Sequence, residues 1–188
     1  QIVATEFAVG RGRDEEPIEW QLAGHPLTMI VDRIDRHEDG QRWRVWDYKT
    51  SGKAHRPEDQ HLKPWDEKEN RPLLGELLPA KRKNARDRRW SGVQLPIYAA
   101  FVQDHFKTGN LPQVGYINLP RAVSDVGFSV WSDFDQAMLD HALVWAMNAI
   151  EHIQAGDFHQ PAELSAQERE WDDFSELAPD GLAAAFGI

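Results

Sequence analysis

Two aspartates and a lysine carry the clearest chemistry in this sequence: Asp32 in Asp32-Arg33-Ile34-Asp35, and Asp47 with Lys49 in Val45-Trp46-Asp47-Tyr48-Lys49. Side chains alternate along a strand, so Val45, Asp47 and Lys49 share a face, and residues paired across a hairpin share it too. If residues 37–40 form a four-residue loop, Arg36 pairs with Gln41 and Asp32 faces Val45. Asp47 is then diagonal to Asp32, about 7 to 8 Å away between α-carbons, close enough for both side chains to reach one cation. Carboxylates held that near repel, so one of them has a raised pKa unless a divalent metal removes the conflict. Oxygen ligands favour Mg2+ or Mn2+. A lysine on the same face can hold or polarise an attacking water and offset charge that builds on a phosphate. The same residues in a structural role would form a surface salt-bridge cluster, and spacing alone leaves both readings open.

The surrounding pattern supplies elements to hold these residues. Residues 2–9 alternate as a strand, and 18–22 with 27–35 flank Ala23-Gly24-His25-Pro26, the loop chemistry of a first hairpin. Residues 42–49, rich in Trp, Val and Tyr, return from the 37–40 loop as the second arm of another hairpin, so the first half reads as an antiparallel meander. From 50 to 90 the pattern breaks into a long polar insertion with one apolar patch at Leu73, Leu74, Leu77 and Leu78. Connections of that length are usually functional or mobile.

A helix is expected over 91–106, with Pro96 in its first turn, followed by strands at 114–119 and 126–131. A long helix spans 134–154, opened by Ser132 with Asp135 three residues on and stopped by Gly156. Gln94 and Tyr98, one turn apart, fall on one face of the first helix. A short helix is expected at 166–177.

Composition removes whole classes of function. The chain of 188 residues contains no cysteine, which excludes disulfides, a cysteine nucleophile, a thiolate zinc site and a cysteine-ligated iron–sulfur cluster. No run has the roughly 18 apolar residues of a membrane span, and no signal pattern opens the chain, so no membrane partner and a reducing, cytoplasmic setting are expected. Gln1 in place of an initiator Met reads as the start of a piece of a longer protein.

The net charge of −10 is uneven: residues 121–188 hold 2 basic against 13 acidic side chains. Lys81, Arg82, Lys83, Arg86, Arg88 and Arg89, opposed nearby only by Asp87, make a candidate phosphate-binding footprint, with a solvated basic loop as the plainer reading. The eight histidines show no tight metal-ligand motif, and the tryptophans read as packing, with Trp65 and Trp90 beside the basic insertion as candidate stacking platforms. Glu6, on the first strand, is a lesser candidate for approaching a metal.

Taken literally, Asp32-Arg33-Ile34-Asp35, then Val45-Trp46-Asp47-Tyr48-Lys49-Thr50-Ser51-Gly52, then Gln94-Leu95-Pro96-Ile97-Tyr98 resembles the nuclease module of RecB and AddB helicase-nucleases, within the PD-(D/E)xK superfamily. The likeness runs from residue 2 to about residue 160 in the same motif order. It implies an α/β restriction-endonuclease-like core at 1–160, a mixed, mainly antiparallel sheet flanked by helices, with a basic insertion at 50–90 and an acidic extension at 161–188. It further implies Asp32 and Asp47 as metal-binding acids, the main-chain carbonyl of Tyr48 as another ligand, Lys49 as catalytic lysine, and Gln94 and Tyr98 as the helix motif.

The activity so implied is Mg2+-dependent hydrolysis of DNA, exonucleolytic, in recombination or repair, beside a helicase domain or subunit. Three departures stand out: Met29 where the family has glycine, no histidine-bearing segment ahead of Ile2, and no cluster-binding cysteines after Gly156. The alternative is a degenerate nuclease fold that serves as a DNA-binding or protein-docking module.

Overall fold

The computed structural model describes residues 1–10, 18–66, 73–80 and 85–157. The expected extension at 161–188, with its helix at 166–177, lies outside the described residues. In chain order the elements are β1 (Ile2–Val9), β2 (Gln21–Leu22), β3 (His25–Pro26), β4 (Met29–Arg36), β5 (Trp43–Lys49), α1 (Pro57–His61), β6 (Leu62–Pro64), β7 (Arg88–Trp90), α2 (Gln94–His105), β8 (Gln113–Asn118), β9 (Gly127–Val130) and α3 (Gln136–Ala155).

Five strands make the main sheet in the order β1-β4-β5-β8-β9, antiparallel throughout except between β5 and β8. That one parallel pair requires a crossover, and α2 lies within it. β8 is buried from Val114 to Asn118 on both faces, as expected of a strand paired in parallel at the centre of a sheet. The α/β core with a mixed, mainly antiparallel sheet is therefore observed.

The core forms where α2 and α3 cover one face of the sheet. Leu95, Tyr98, Ala99, Phe101 and Val102 of α2, with Met138, Ala142 and Trp145 of α3, join Val9, Ile34, Trp43, Val45, Val114 and Tyr116 in a single buried cluster. On the other face Trp46 packs on Phe128 at 5.1 Å between rings and lies across Gly115, where an added Cβ would meet Trp46 Cζ3 at 2.7 Å and the Ser129 carbonyl at 2.6 Å. Only glycine admits so close an approach. Among the described residues no helix is long and apolar enough to cross a membrane.

Several local expectations are corrected. The first hairpin is a separate two-stranded ribbon, β2 with β3, turning on Ala23-Gly24 at φ 50° and 84°. The ribbon extends one hydrogen bond further, Leu27 N–H donating to the Trp20 carbonyl at 3.1 Å, and β4 pairs with β1 instead. Helix α2 starts at Gln94, because the backbone and hydroxyl of Ser91 are tied to the carbonyls of His61 and Gln60. Asp135, and not Ser132, caps α3, its carboxylate accepting the Met138 N–H at 2.8 Å. The 50–90 insertion is partly ordered: β6 pairs with β7, Leu78 bridges to Arg88, and Trp145 Nε1 donates to the Glu76 carbonyl.

The most consequential correction concerns the β4–β5 register. The pairs are Arg36 with Trp43, Asp35 with Arg44, Ile34 with Val45 and Arg33 with Trp46, closed at the turn by His37 N–H donating to the Arg42 carbonyl at 2.8 Å. The loop has the expected length but lies one residue further on, at 38–41. Asp39 fixes it there by accepting from the backbone N–H groups of Gln41 and Arg42 and pairing with the Arg42 guanidinium at 2.7 Å. Moving the loop by one residue shifts the pairing by two.

Candidate active site

β5 presents Trp43, Val45, Asp47 and Lys49 on the face that α2 covers, while Arg44 and Tyr48 are exposed on the other. A slip of two residues leaves this assignment untouched, because the strand period is two. It does change the relation of the acids. Continuing the observed ladder by one pair brings Asp32 across from Asp47, where the expectation had them diagonal. Asp32 Oδ2 accepts the backbone N–H of Tyr48 at 2.8 Å, which ties its carboxylate to β5 beside Asp47.

Asp47 is 3% exposed. Burial pushes its carboxyl above the ordinary value; Lys49 and Gln94 oppose the rise and the Asp32 charge adds to it. Lys49 Nζ lies 2.6 Å from Asp47 Oδ2. The approach makes an ion pair without hydrogen-bond geometry, so that buried oxygen has no hydrogen-bond partner.

From the first turns of α2, Gln94 Nε2 donates to Tyr98 Oη at 3.0 Å. Tyr98 is buried, and its hydroxyl is held above the ordinary phenol value by burial, with Gln94 opposing and the charges of Asp32 and Asp47 adding. The structure thus brings Asp32, Asp47, Lys49, Gln94 and Tyr98 to one end of the β4–β5 hairpin under the start of α2.

A model of the PD-(D/E)XK nuclease superfamily matches residues 1–184. The chain belongs to this superfamily. No curated protein matches it. Among solved structures, the chain is similar to a protein from Eubacterium rectale provisionally called an exonuclease, at 13% identity and a TM-score of 0.46. That match covers 93% of this chain and 56% of the other, so the chain spans little more than half that protein's length.

Membership in a nuclease superfamily raises the question whether these residues suit a divalent metal. They do: Asp47 Oδ2 is a buried anionic oxygen without a hydrogen bond, the facing acid is another aspartate, and both are hard oxygen donors of the kind Mg2+ and Mn2+ take. In a strand, the N–H and C=O of one residue point to the same neighbour, so the Tyr48 carbonyl also faces β4, past the last ladder pair. Among the described residues no group of three or more His, Cys, Asp or Glu side chains could hold a metal. Glu6 is exposed on β1, with φ at 50°, opposite Asp32 by the β1–β4 register.

The basic insertion is placed only in part. Lys81, Arg82 and Lys83 lie outside the described residues. Arg86 pairs with Asp66 at 2.8 Å, and Arg88 donates to the carbonyls of Glu58 and Leu62, an internal clamp on α1 and β6. Arg89 is half-buried, its Nη1 facing the Trp90 carbonyl at 3.5 Å. Trp90 is 3% exposed and donates to His141 Nδ1 at 2.9 Å, which makes it core and not a stacking platform. Trp65 is half-buried, and its N–H donates to the Asp87 carbonyl.

Two residues beside the site escaped the sequence reading. Tyr116 pairs with Asp47 across the parallel β5–β8 ladder, with its ring 4.7 Å from Lys49 Nζ. His61, from the insertion, accepts from the Tyr116 hydroxyl at 3.0 Å. A hairpin can be registered from its loop, but a parallel partner has no such marker in the sequence.

Proposed function

We propose that this chain is a Mg2+- or Mn2+-dependent deoxyribonuclease of RecB/AddB type, acting exonucleolytically on DNA in recombination or repair and working beside a helicase domain or subunit. The observation that carries the reading is the meeting of Asp32 and Asp47 across the β4–β5 hairpin, with Lys49 Nζ 2.6 Å from a buried, otherwise unpartnered Asp47 oxygen. The order of Asp32, Asp47-Tyr48-Lys49 and Gln94-x-x-x-Tyr98 supports the RecB/AddB subtype.

Asp32 and Asp47, with the Tyr48 carbonyl, would hold the cation. Bound there, it would act as a Lewis acid on a phosphodiester and lower the pKa of an attacking water. The Asp47 environment favours that occupancy, since a cation relieves both its burial as an anion and its repulsion from Asp32. Lys49 presents an ammonium at the edge of the site, its side chain 28% exposed, so it can donate to a water or to a phosphate oxygen. Gln94 and Tyr98 brace the Asp47 side of the site from α2. Lys81, Arg82, Lys83, Arg86 and Arg89 would add sequence-independent attraction for the DNA backbone.

The test is cleavage of matched linear and circular DNA by the chain with millimolar Mn2+. An exonuclease degrades the linear form alone, and cleavage of the circle changes the reading to an endonuclease. No cleavage of either form, together with a melting temperature that Mn2+ does not move, would leave the protein as a docking module and overturn the proposal.

A further inference from the structure

Lys49 meets two partners of different kinds. One is the carboxylate of Asp47, in an ion pair with Oδ2 at 2.6 Å; the other is the face of Tyr116, whose ring centroid lies 4.7 Å from Nζ. A cation within about 6 Å of an aromatic centroid is attracted by the ring quadrupole. The Tyr116 ring is itself pinned. It is 1% exposed, and its hydroxyl lies 3.0 Å from His61 Nε2, while His61 Nδ1 lies 2.8 Å from the Gly92 carbonyl.

A carbonyl only accepts, so His61 Nδ1 carries the proton, Nε2 is the acceptor, and Tyr116 donates. His61 is 4% exposed and stacks on Trp131 at 5.5 Å and 16° between rings, so the acceptor is fixed in turn. Burial brings its pKa down to about 4, which keeps it neutral as this role requires.

We infer that Tyr116 is a positioning residue for the Lys49 ammonium, oriented by the chain from Tyr116 through His61 to the Gly92 carbonyl. The inference rests on the reading of Lys49 as the catalytic lysine. Its physical reason lies in the other partner. Asp47 is also a proposed metal ligand, so a cation bound there competes for the oxygen that holds Lys49. A lysine has a flexible four-carbon stem and does not hold its position without a partner. The ring face keeps the ammonium in place without neutralising it and without ligating a metal.

The test uses the whole chain with Tyr116→Phe as reference and mono-, di- and trifluorophenylalanine at the same position, which weaken the ring face progressively at nearly constant shape. Two readouts are taken: the Lys49 methylene shifts by NMR without metal, and single-turnover DNA cleavage in Mn2+. The ring should displace the Lys49 ε-methylene upfield in the unmodified protein, and Tyr116→Leu should abolish that displacement. Cleavage should fall stepwise with each fluorine, by about tenfold across the series, while melting temperatures do not follow the fluorine count.

Equal rates across the series, or an undisplaced Lys49 methylene in the unmodified protein, overturns the inference. Should Tyr116→Leu not fold, the nearly isosteric fluorine series still decides. If the unmodified chain cuts no DNA and Mn2+ does not move its melting temperature, the nuclease reading fails by itself, and the NMR shift alone decides whether Tyr116 positions Lys49.

Discussion

Asp32 Oδ2 accepts the backbone N–H of Tyr48 at 2.8 Å, so the first acid of the site is fastened to the strand that carries the second. This bond sets the two carboxylates across one hairpin end, and the Asp32 charge adds to the rise in the Asp47 pKa that burial begins. The structure without metal therefore holds an unfavourable charge arrangement, and the first prediction follows from its relief.

Mg2+ or Mn2+ should stabilise the protein by mass action. At a hundredfold excess over Kd the gain is about 2.7 kcal/mol, or a rise of about 5 to 10 °C for a chain of this size. Asp47→Asn should remove most of that rise and should raise the metal-free melting temperature at neutral pH. A raised folded-state pKa means that the folded carboxyl holds its proton longer than the unfolded one, so its contribution to stability declines as pH climbs above the ordinary carboxylate value. The excess stability of Asp47→Asn should accordingly grow with pH through that window. Lys49→Ala should keep the metal-dependent rise and lose cleavage. Calorimetry with and without Mn2+, beside a cleavage assay, checks all three, and equal metal responses in wild type and Asp47→Asn would remove Asp47 as a ligand.

His61 gives a pH dependence of opposite sign. Its pKa falls from 6.5 to about 4 on folding, so the unfolded state binds the proton first and stability is lost as pH drops through that interval. The full loss amounts to about 3 kcal/mol by linkage. Denaturant melts of wild type and His61→Phe between pH 7 and pH 4 should show the variant with the shallower decline. Parallel curves would contradict a neutral, buried His61.

Arg88 and the Lys81-Arg82-Lys83 run should separate experimentally despite their proximity in sequence. Arg88 donates to two carbonyls, so Arg88→Ala should cost about 1 to 3 kcal/mol of stability. Reversal of Lys81, Arg82 and Lys83 to Glu should leave the melting temperature in place and flatten the salt dependence of DNA binding, by about 0.9 in the log–log slope for each phosphate no longer neutralised. Fluorescence anisotropy across a salt series in Ca2+ measures the second effect. An unchanged slope would make that run a solvated surface.

Gly115 lies beneath Trp46 with no room for a methyl group. Gly115→Ala should destabilise by about 1 to 3 kcal/mol, since the ring and the Ser129 backbone must both yield. The Trp46 fluorescence environment should change with it. A neutral substitution would show that the outer face of the sheet is loosely packed.

How much of this was legible beforehand can be read from Asp47. Its sequence neighbours placed it on one face with Val45 and Lys49, and the structure keeps them there because side-chain alternation survives any even slip of register. Gln94 and Tyr98 were likewise on one helical face, since α-helical spacing is local. The distance between the acids was not legible. It depended on whether the loop began at His37 or Glu38, and the Asp39 carboxylate settled that by capping Gln41 and Arg42.

Nor could the sequence show that Tyr116 would lie beside Asp47, or that His61 would reach across from the insertion to hold it. Parallel pairing joins segments far apart in the chain, and only the packing of α2 against the sheet brings them into register. Residue types and local periodicity determined which side chains could do chemistry and which way they faced. The tertiary structure decided which of them meet, because non-local distances are set by loop closure and core packing and not by spacing along the chain.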